Sequence, residues 1–371
     1  MKRLTRFTLP ILFCLCVVRG TSARERWTSD EANRWYAGQP WVVGCDFLPS
    51  TAINQLEMWQ ADTFDPETID RELGWAHDIG LSGVRVYLHD IPWREDRDGY
   101  FRRIDQFLAI CARHEIKVVF VLFDGVWDPD PQPGVQNRPR PGVHNSGWVQ
   151  SPGRVILRDP QAQDRLEGFV TETVARHADD DRVWVWDPFN EPDNSNGNSY
   201  APLELPNKDE VAARLVRKSF DWARAAGPSQ PLTVGLWHQG PWNEPENLSQ
   251  TQQAALELSD VVSFHDYGPP SSLTRRIEEL RGYDRPLICT EYMARGNGST
   301  FADNLPVFKA ERVAAFNWGL VDGKSQTKYP WTTWQQPIIG EPEPWHHDIF
   351  HADGTPYSQA EVDLIRELTA Q

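Results

Sequence analysis

Val183-Trp-Val-Trp-Asp-Pro-Phe-Asn-Glu-Pro192 is a short apolar run that stops abruptly at Asn190, Glu191 and Pro192. Farther along, Pro286-Leu-Ile-Cys-Thr-Glu-Tyr292 repeats the layout and ends on Glu291. Runs this short, apolar on both faces, suit parallel strands covered by helices, each delivering a carboxylate at its C-terminal end. Six more runs of the same kind complete a set of eight: 41–49, 83–89, 117–124, 231–237, 261–267 and 314–320 join 183–191 and 286–293. Helical patterns fall between or after them, at 66–79, 101–114, 161–177, 208–226, 252–258, 272–281, 301–312 and 359–368. Asp65-Pro66 opens the first of these helices and Gly80 follows its end, as helix termini prefer. Eight strand–helix units with no Pro-, Ser- or Gly-rich linker between halves predict one (β/α)8 TIM barrel. An open doubly wound sheet would carry a Gly-rich phosphate turn after its first strand, and Gly44-Cys-Asp-Phe-Leu-Pro49 is not one.

Two connections are long. Residues 125–159 hold Trp127 and Trp148, and residues 321–351 hold Trp331, Trp334 and Trp345. Both follow strands, so on a barrel both rise over the face where active sites form. They are expected to wall a substrate site. Seventeen tryptophans exceed what a core needs, and the surplus on loops suits stacking against the C–H faces of sugars.

Residues 1–23 read as an export signal: Lys2, Arg3 and Arg6, then apolar Phe7–Val18, then Thr21-Ser-Ala23 as cleavage site. The expected product is a secreted or periplasmic chain, 24–371, forming one catalytic domain, with no membrane anchor. The apolar stretch is too short to span a bilayer comfortably. A formal net charge of −16 argues against nucleic acid or an anionic membrane as partner. Cys45, Cys111 and Cys289 lie on separate predicted elements and read as buried thiols rather than a disulfide framework. His346-His-Asp348 lacks the spacing of a metal site and reads as a solvated loop; no metal and no cofactor are expected.

Two carboxylates facing each other across a barrel mouth are the equipment for cleaving a glycosidic bond. One protonates the departing oxygen, and the other lies beneath the anomeric carbon. The chain resembles the clan A glycoside hydrolases, and most nearly the family 5, cellulase- and mannanase-like enzymes. The likeness rests on Asn190-Glu191-Pro192, Glu291 in Cys289-Thr-Glu-Tyr292, and Arg85 in Gly83-Val-Arg-Val-Tyr87. It rests further on His265 and Tyr267 in Ser263-Phe-His-Asp-Tyr267, and on Trp318. It implies Glu191 as acid/base, Glu291 as nucleophile, and Arg85 as the cation that keeps Glu291 ionised. It also implies Trp318 as the aromatic floor beneath the sugar being cleaved. Asn190 is expected to bind the sugar 2-hydroxyl, Tyr267 to donate to the nucleophile, and His265 to orient a hydroxyl or Glu191. Asp124 and Trp127 complete the expected substrate contacts. The family commonly has a His near the end of the third strand; here Asp124 stands there, and His89 is the nearest substitute in sequence. Asp46 and Asp124 are both candidates to grip hydroxyls.

The expected function is a retaining β-glycoside hydrolase acting on a polysaccharide or oligosaccharide. The alternatives are a transglycosylase using the same covalent intermediate, a non-catalytic carbohydrate-binding barrel, and a metal-dependent hydrolase.

Overall fold

The computed structural model describes residues 24–197, 199–238 and 240–370. The export signal expected at residues 1–23 lies outside them. Seven parallel strands form one curled sheet: β1 (Val43–Asp46), β2 (Gly83–Tyr87), β3 (Lys117–Asp124), β4 (Val183–Asn190), β5 (Val262–His265), β6 (Leu287–Tyr292) and β7 (Ala314–Trp318). Their order is β4-β3-β2-β1-β7-β6-β5. The expected strand at 231–237 closes the gap between β4 and β5 through two parallel bridges, Trp186 with Leu232 and Leu236 with Phe264. It forms no continuous ladder because side chains take its backbone donors. Leu232 N donates to Asp260 Oδ2 (2.9 Å) and Val234 N to Ser259 Oγ (3.1 Å). The circuit is therefore closed, and the fold is a (β/α)8 TIM barrel.

The helices lie close to their predicted places: Pro66–Asp78, Arg97–Arg113, Glu167–Arg176, Lys208–Ala225, Gln250–Leu258, Pro270–Arg281, Phe301–Glu311 and Gln359–Thr369. Asp65 caps the first through Thr68 N, with Pro66 in its first turn. Outward strand residues such as Val84, Val86, Phe120 and Leu122 pack against these helices, forming the main core. Inward residues at the strand starts, Val119, Trp184, Ile288, Ala314 and Phe316, form a second cluster. The helix Ser29–Ala37 stops that end of the barrel, placing Trp35 against Trp184 with ring centroids 5.6 Å apart. Cys45, Cys111 and Cys289 are buried and unpaired. No helix among the described residues is long and apolar enough to cross a membrane.

Candidate active site

One end of the barrel is plugged, and the other opens into a cavity of about 540 Å³ lined by Asn190, Glu191, His265, Tyr267, Glu291 and Trp318, among others. Strand alternation explains what lies beneath. Arg85 and Tyr87 are two apart on β2 and both point inward. Asp46, Asp187 and Glu291 reach the same level from β1, β4 and β6.

Arg85 is wholly buried there, and its guanidinium meets three carboxylates: Asp46 (2.8 Å), Asp187 (2.8 Å) and Glu291 (2.9 Å). It also donates to Asn190 Oδ1 (2.7 Å). A buried cation with a full set of acceptors holds its proton firmly. Burial opposes the charge, but Tyr87 and the three carboxylates outweigh it and raise the pKa further.

Glu291 accepts from Arg85 and from Tyr87 OH (2.8 Å) on Oε1, and from Tyr267 OH (2.7 Å) on Oε2. Burial alone would raise its pKa. His265, Arg85 and the two phenolic donors outweigh burial and hold it below the ordinary 4.5. This is an environment that favours the ionised carboxylate.

Glu191 sits just past β4 with φ +40°, a left-handed backbone conformation that costs a non-glycine residue about 1 kcal/mol or more. The neighbouring strand end makes room for this turn. A Cβ on Gly125 would collide with the Glu191 carbonyl, so only glycine fits there. The Glu191 side chain accepts from Asn194 Nδ2 (2.6 Å), and its Oε1 lies 2.8 Å from His265 Nδ1. The same His265 nitrogen is 3.5 Å from Glu291 Oε2, so one imidazole stands between the two carboxylates. Oxygens of Glu191 and Glu291, together with a His265 nitrogen, all lie within 4.8 Å of one another.

These three groups also satisfy the distances for a shared cation. The donor set argues against one. Both Glu291 oxygens already accept from Arg85, Tyr87 or Tyr267, and the fixed charge of Arg85 repels a second cation beside it.

The structure brings Asn190, Glu191, His265, Tyr267, Glu291, Trp318 and Trp127 to the cavity. Arg85 and Asp124, expected among the substrate contacts, instead lie beneath the floor. Asp124 is buried and accepts from Asn190 Nδ2 (2.9 Å), Gln55 Nε2 (3.0 Å), Val126 N (3.1 Å) and the Trp148 indole. Burial raises its pKa to about 7, against the hydrogen bonds from Asn190, Trp148 and Val126. It therefore fixes Asn190 and Trp148 and grips no hydroxyl. Asp46 is buried as well, with its Oδ1 taken by Arg85 and Tyr87. His89 does not replace the missing histidine: Nδ1 accepts from Ile91 N at a helix start, and Nε2 lies 3.1 Å from the Gln150 carbonyl.

His346-His347-Asp348 is no solvated loop. All three residues are buried, because Arg295 gathers the backbone carbonyls of Trp345, His347 and Asp348. Their side chains do not converge on one point: His347 Nδ1 faces the Met293 carbonyl and Asp348 Oδ1 accepts from Thr327. Burial lowers the His346 pKa to about 3 and that of His144, on the cavity wall, to about 4.

The sequence reading missed Tyr87, although its place two residues after Arg85 on a strand signals the same inward direction. It missed Asn194, three residues past Glu191, and the cavity residues Trp237, His238 and His144. Nothing local in the sequence singles these out, since loop packing alone brings them in.

A family model described as cellulase (glycosyl hydrolase family 5) matches residues 98–336, well over half of the chain. The chain belongs to glycosyl hydrolase family 5. It is a glycoside hydrolase. The solved structures similar to this family 5 chain include an endo-beta-1,4-mannanase from Thermotoga petrophila. That one is 13% identical, with a TM-score of 0.56, covering 90% of this chain and 77% of that one. A GH5_18 protein from Streptomyces cattleya in complex with Manb1-4GlcNAc is also 13% identical, at TM-score 0.58, covering 89% and 81%. An exo-beta-1,4-mannosidase from Opitutaceae bacterium strain TAV5 is 16% identical, at TM-score 0.56, covering 88% and 59%. At such identities the likeness shows the barrel alone. No curated protein matches the chain by sequence.

Proposed function

We propose that this family 5 chain is an exported, retaining β-glycoside hydrolase that works by double displacement, with Glu291 as nucleophile and Glu191 as acid/base. Glu291 attacks the anomeric carbon as the glycosidic C–O bond breaks, and the proton of Glu191 passes to the departing oxygen. Glu191 then takes a proton from water, the water oxygen attacks the same carbon, and the Glu291–sugar bond breaks. The observation that carries this reading is the closeness of the two carboxylates, with oxygens within 4.8 Å. Retaining enzymes hold the pair about 5–5.5 Å apart, whereas inverting enzymes leave about 6.5–9.5 Å for a water. The clamp on Glu291 by Arg85, Tyr87 and Tyr267 supports the nucleophile role.

Asn190, held by Asp124 and Arg85, is the candidate donor to the 2-hydroxyl, and Trp318 the stacking floor. A panel of aryl β-glycosides of gluco, manno, xylo and galacto configuration tests the activity. Proton NMR of the first product tests the stereochemistry: the β-anomer is expected to appear first, and initial α-anomer overturns double displacement. Export is tested by expressing the full chain and sequencing the N-terminus of the released protein. A start at or near Arg24 is expected, and retention of Met1 inside the cell contradicts it.

A further inference from the structure

The two segments that rise beyond β3 and β7 are fastened to each other across one side of the barrel mouth. Asn145 N donates to the Ser325 carbonyl (2.8 Å), His144 N to Thr333 Oγ1 (2.9 Å), and Ile338 N to the Gly142 carbonyl (3.2 Å). The Gln326 side chain bridges back to the carbonyls of Arg140 (2.8 Å) and Val143 (3.1 Å) and accepts from Gly142 N (3.1 Å). Above these bonds Trp334 stacks on Trp127, with centroids 5.2 Å apart and planes 13° from parallel. Arg140 covers Trp334, and Tyr200 packs edge-on against it, so the segment after β4 joins the same wall.

The wall is continuous with the aromatic cluster of Tyr87, Trp127 and Trp148, against which both Trp318 and Trp334 pack. The Trp318 ring meets Tyr87 and Trp148 edge-on, both at 5.7 Å. On the cavity side His144 faces inward. Its Nδ1 lies 2.8 Å from the Tyr329 carbonyl and so carries the hydrogen, leaving Nε2 as an acceptor for a sugar hydroxyl. Among the described residues the opposite side of the cavity has no such bridge. It is bordered by Trp237 and His238, both tied to Asp193 (2.8 and 3.2 Å), and by Gly268 and Ser272.

We propose that this enzyme acts from the non-reducing end of its substrate, releasing short terminal units because the wall of Trp127 and His144, backed by Trp334, closes the cavity behind the sugar over Trp318. The inference rests on the reading of Glu291 and Glu191 given above. The leaving group lies on the side of the proton donor and departs past Trp237 and His238. A chain threading through the cavity would have to pass through a hydrogen-bonded wall. Breaking that wall costs two backbone–backbone hydrogen bonds, those of the Thr333 and Gln326 side chains, and an aromatic stack, so an internal segment cannot be seated.

The aryl glycoside panel comes first. Failure there removes the hydrolase reading itself and the basis of this inference with it. With turnover in hand, an oligosaccharide of the accepted configuration, fluorescently labelled at its reducing end, is digested and followed by chromatography. The parent polysaccharide is followed in parallel by viscosity. The expected result is unlabelled mono- or disaccharide from the first minutes, labelled products shortening stepwise, and viscosity falling slowly per bond broken. Mid-length labelled fragments at early times with a rapid fall in viscosity overturn the proposal. Early release of short labelled fragments overturns it too, since that places the reducing end at the wall. Trp334→Ala sharpens the result: internal cleavage is expected to appear at a several-fold higher share of products than in the wild type. An unchanged share in a folded variant overturns the role given to the wall.

Discussion

Glu191 and Glu291 have the same setting in sequence, each closing an apolar strand, yet the two strand ends build opposite surroundings. Glu291 is clamped on both oxygens, by Arg85 and Tyr87 on one and Tyr267 on the other. Among the described residues no guanidinium pairs with Glu191. It is held by Asn194 and His265 on a strained turn at the rim. A carboxylate ringed by donors is held towards its anion, whereas one with a single amide and an imidazole has no such clamp. The difference lies in the partners rather than the residue type, and it underlies the proposed division into nucleophile and acid/base.

The most severe way to break the comparison is to remove each carboxylate in turn. Glu291→Ala is expected to lower kcat by a factor on the order of 10⁵. Azide should then restore turnover and give an α-glycosyl azide, because it attacks from the vacated face. Glu191→Ala is expected to cost about 10²–10⁴-fold, the usual share of general acid–base catalysis. It should spare substrates with activated aryl leaving groups and give a β-glycosyl azide. The reverse pattern of products would exchange the two roles.

Arg85→Met strips the cation from three carboxylates at once. A loss of about 3–5 kcal/mol in unfolding free energy is expected in denaturant titration, the cost of unpairing buried charges. A variant as stable as wild type would show that Arg85 does not hold the layer together.

The donors on Glu291 make a pH prediction with a definite sign. As the proposed nucleophile Glu291 works ionised, and its pKa is depressed below 4.5, so activity should persist as pH falls until that depressed value is reached. Stability linked to the same group is present above its unfolded pKa and is lost as pH falls through the folded one. Tyr267→Phe removes a donor to the anion. The acid limb of kcat/KM is therefore expected to move to higher pH, with kcat down by about tenfold for one lost charge-assisted hydrogen bond. An acid limb that stays in place would detach Tyr267 from the nucleophile. On the Glu191 side, Gly125→Ala drives a methyl into the Glu191 carbonyl. About 1–3 kcal/mol of stability should be lost, with kcat falling while Glu291 can still be labelled. The smallest effect expected is that of chelator: turnover should be unchanged in EDTA, because Arg85 and the tyrosines already occupy the Glu291 oxygens.

Much of this was legible in the sequence because strand alternation and strand ends are local signals. The eight runs and their helices, and the placing of Glu191, Glu291, His265, Tyr267 and Trp318 at one mouth, follow from periodicity and family likeness. Tyr87 was within reach of the same alternation. What escaped was set by contacts between segments far apart in the chain. The strand at 231–237 shrank to two bridges because Asp260 and Ser259 captured its amides. Asp124 looked like a candidate to grip hydroxyls, yet four donors from three segments hold it buried. His346-His347-Asp348 looked solvated until Arg295 gathered its carbonyls. Loop-to-loop pairings of this kind leave no period to read.

The division of labour between the two glutamates is tested most directly by trapping the intermediate. A 2-deoxy-2-fluoro glycoside with a good leaving group, matched to the accepted aryl substrate, is incubated with the enzyme, and the peptides are mapped by mass spectrometry. One sugar is expected per chain, bonded to Glu291 in the peptide containing Leu287–Tyr292. A sugar on Glu191, or an unlabelled enzyme that is nonetheless inactivated, would contradict the account.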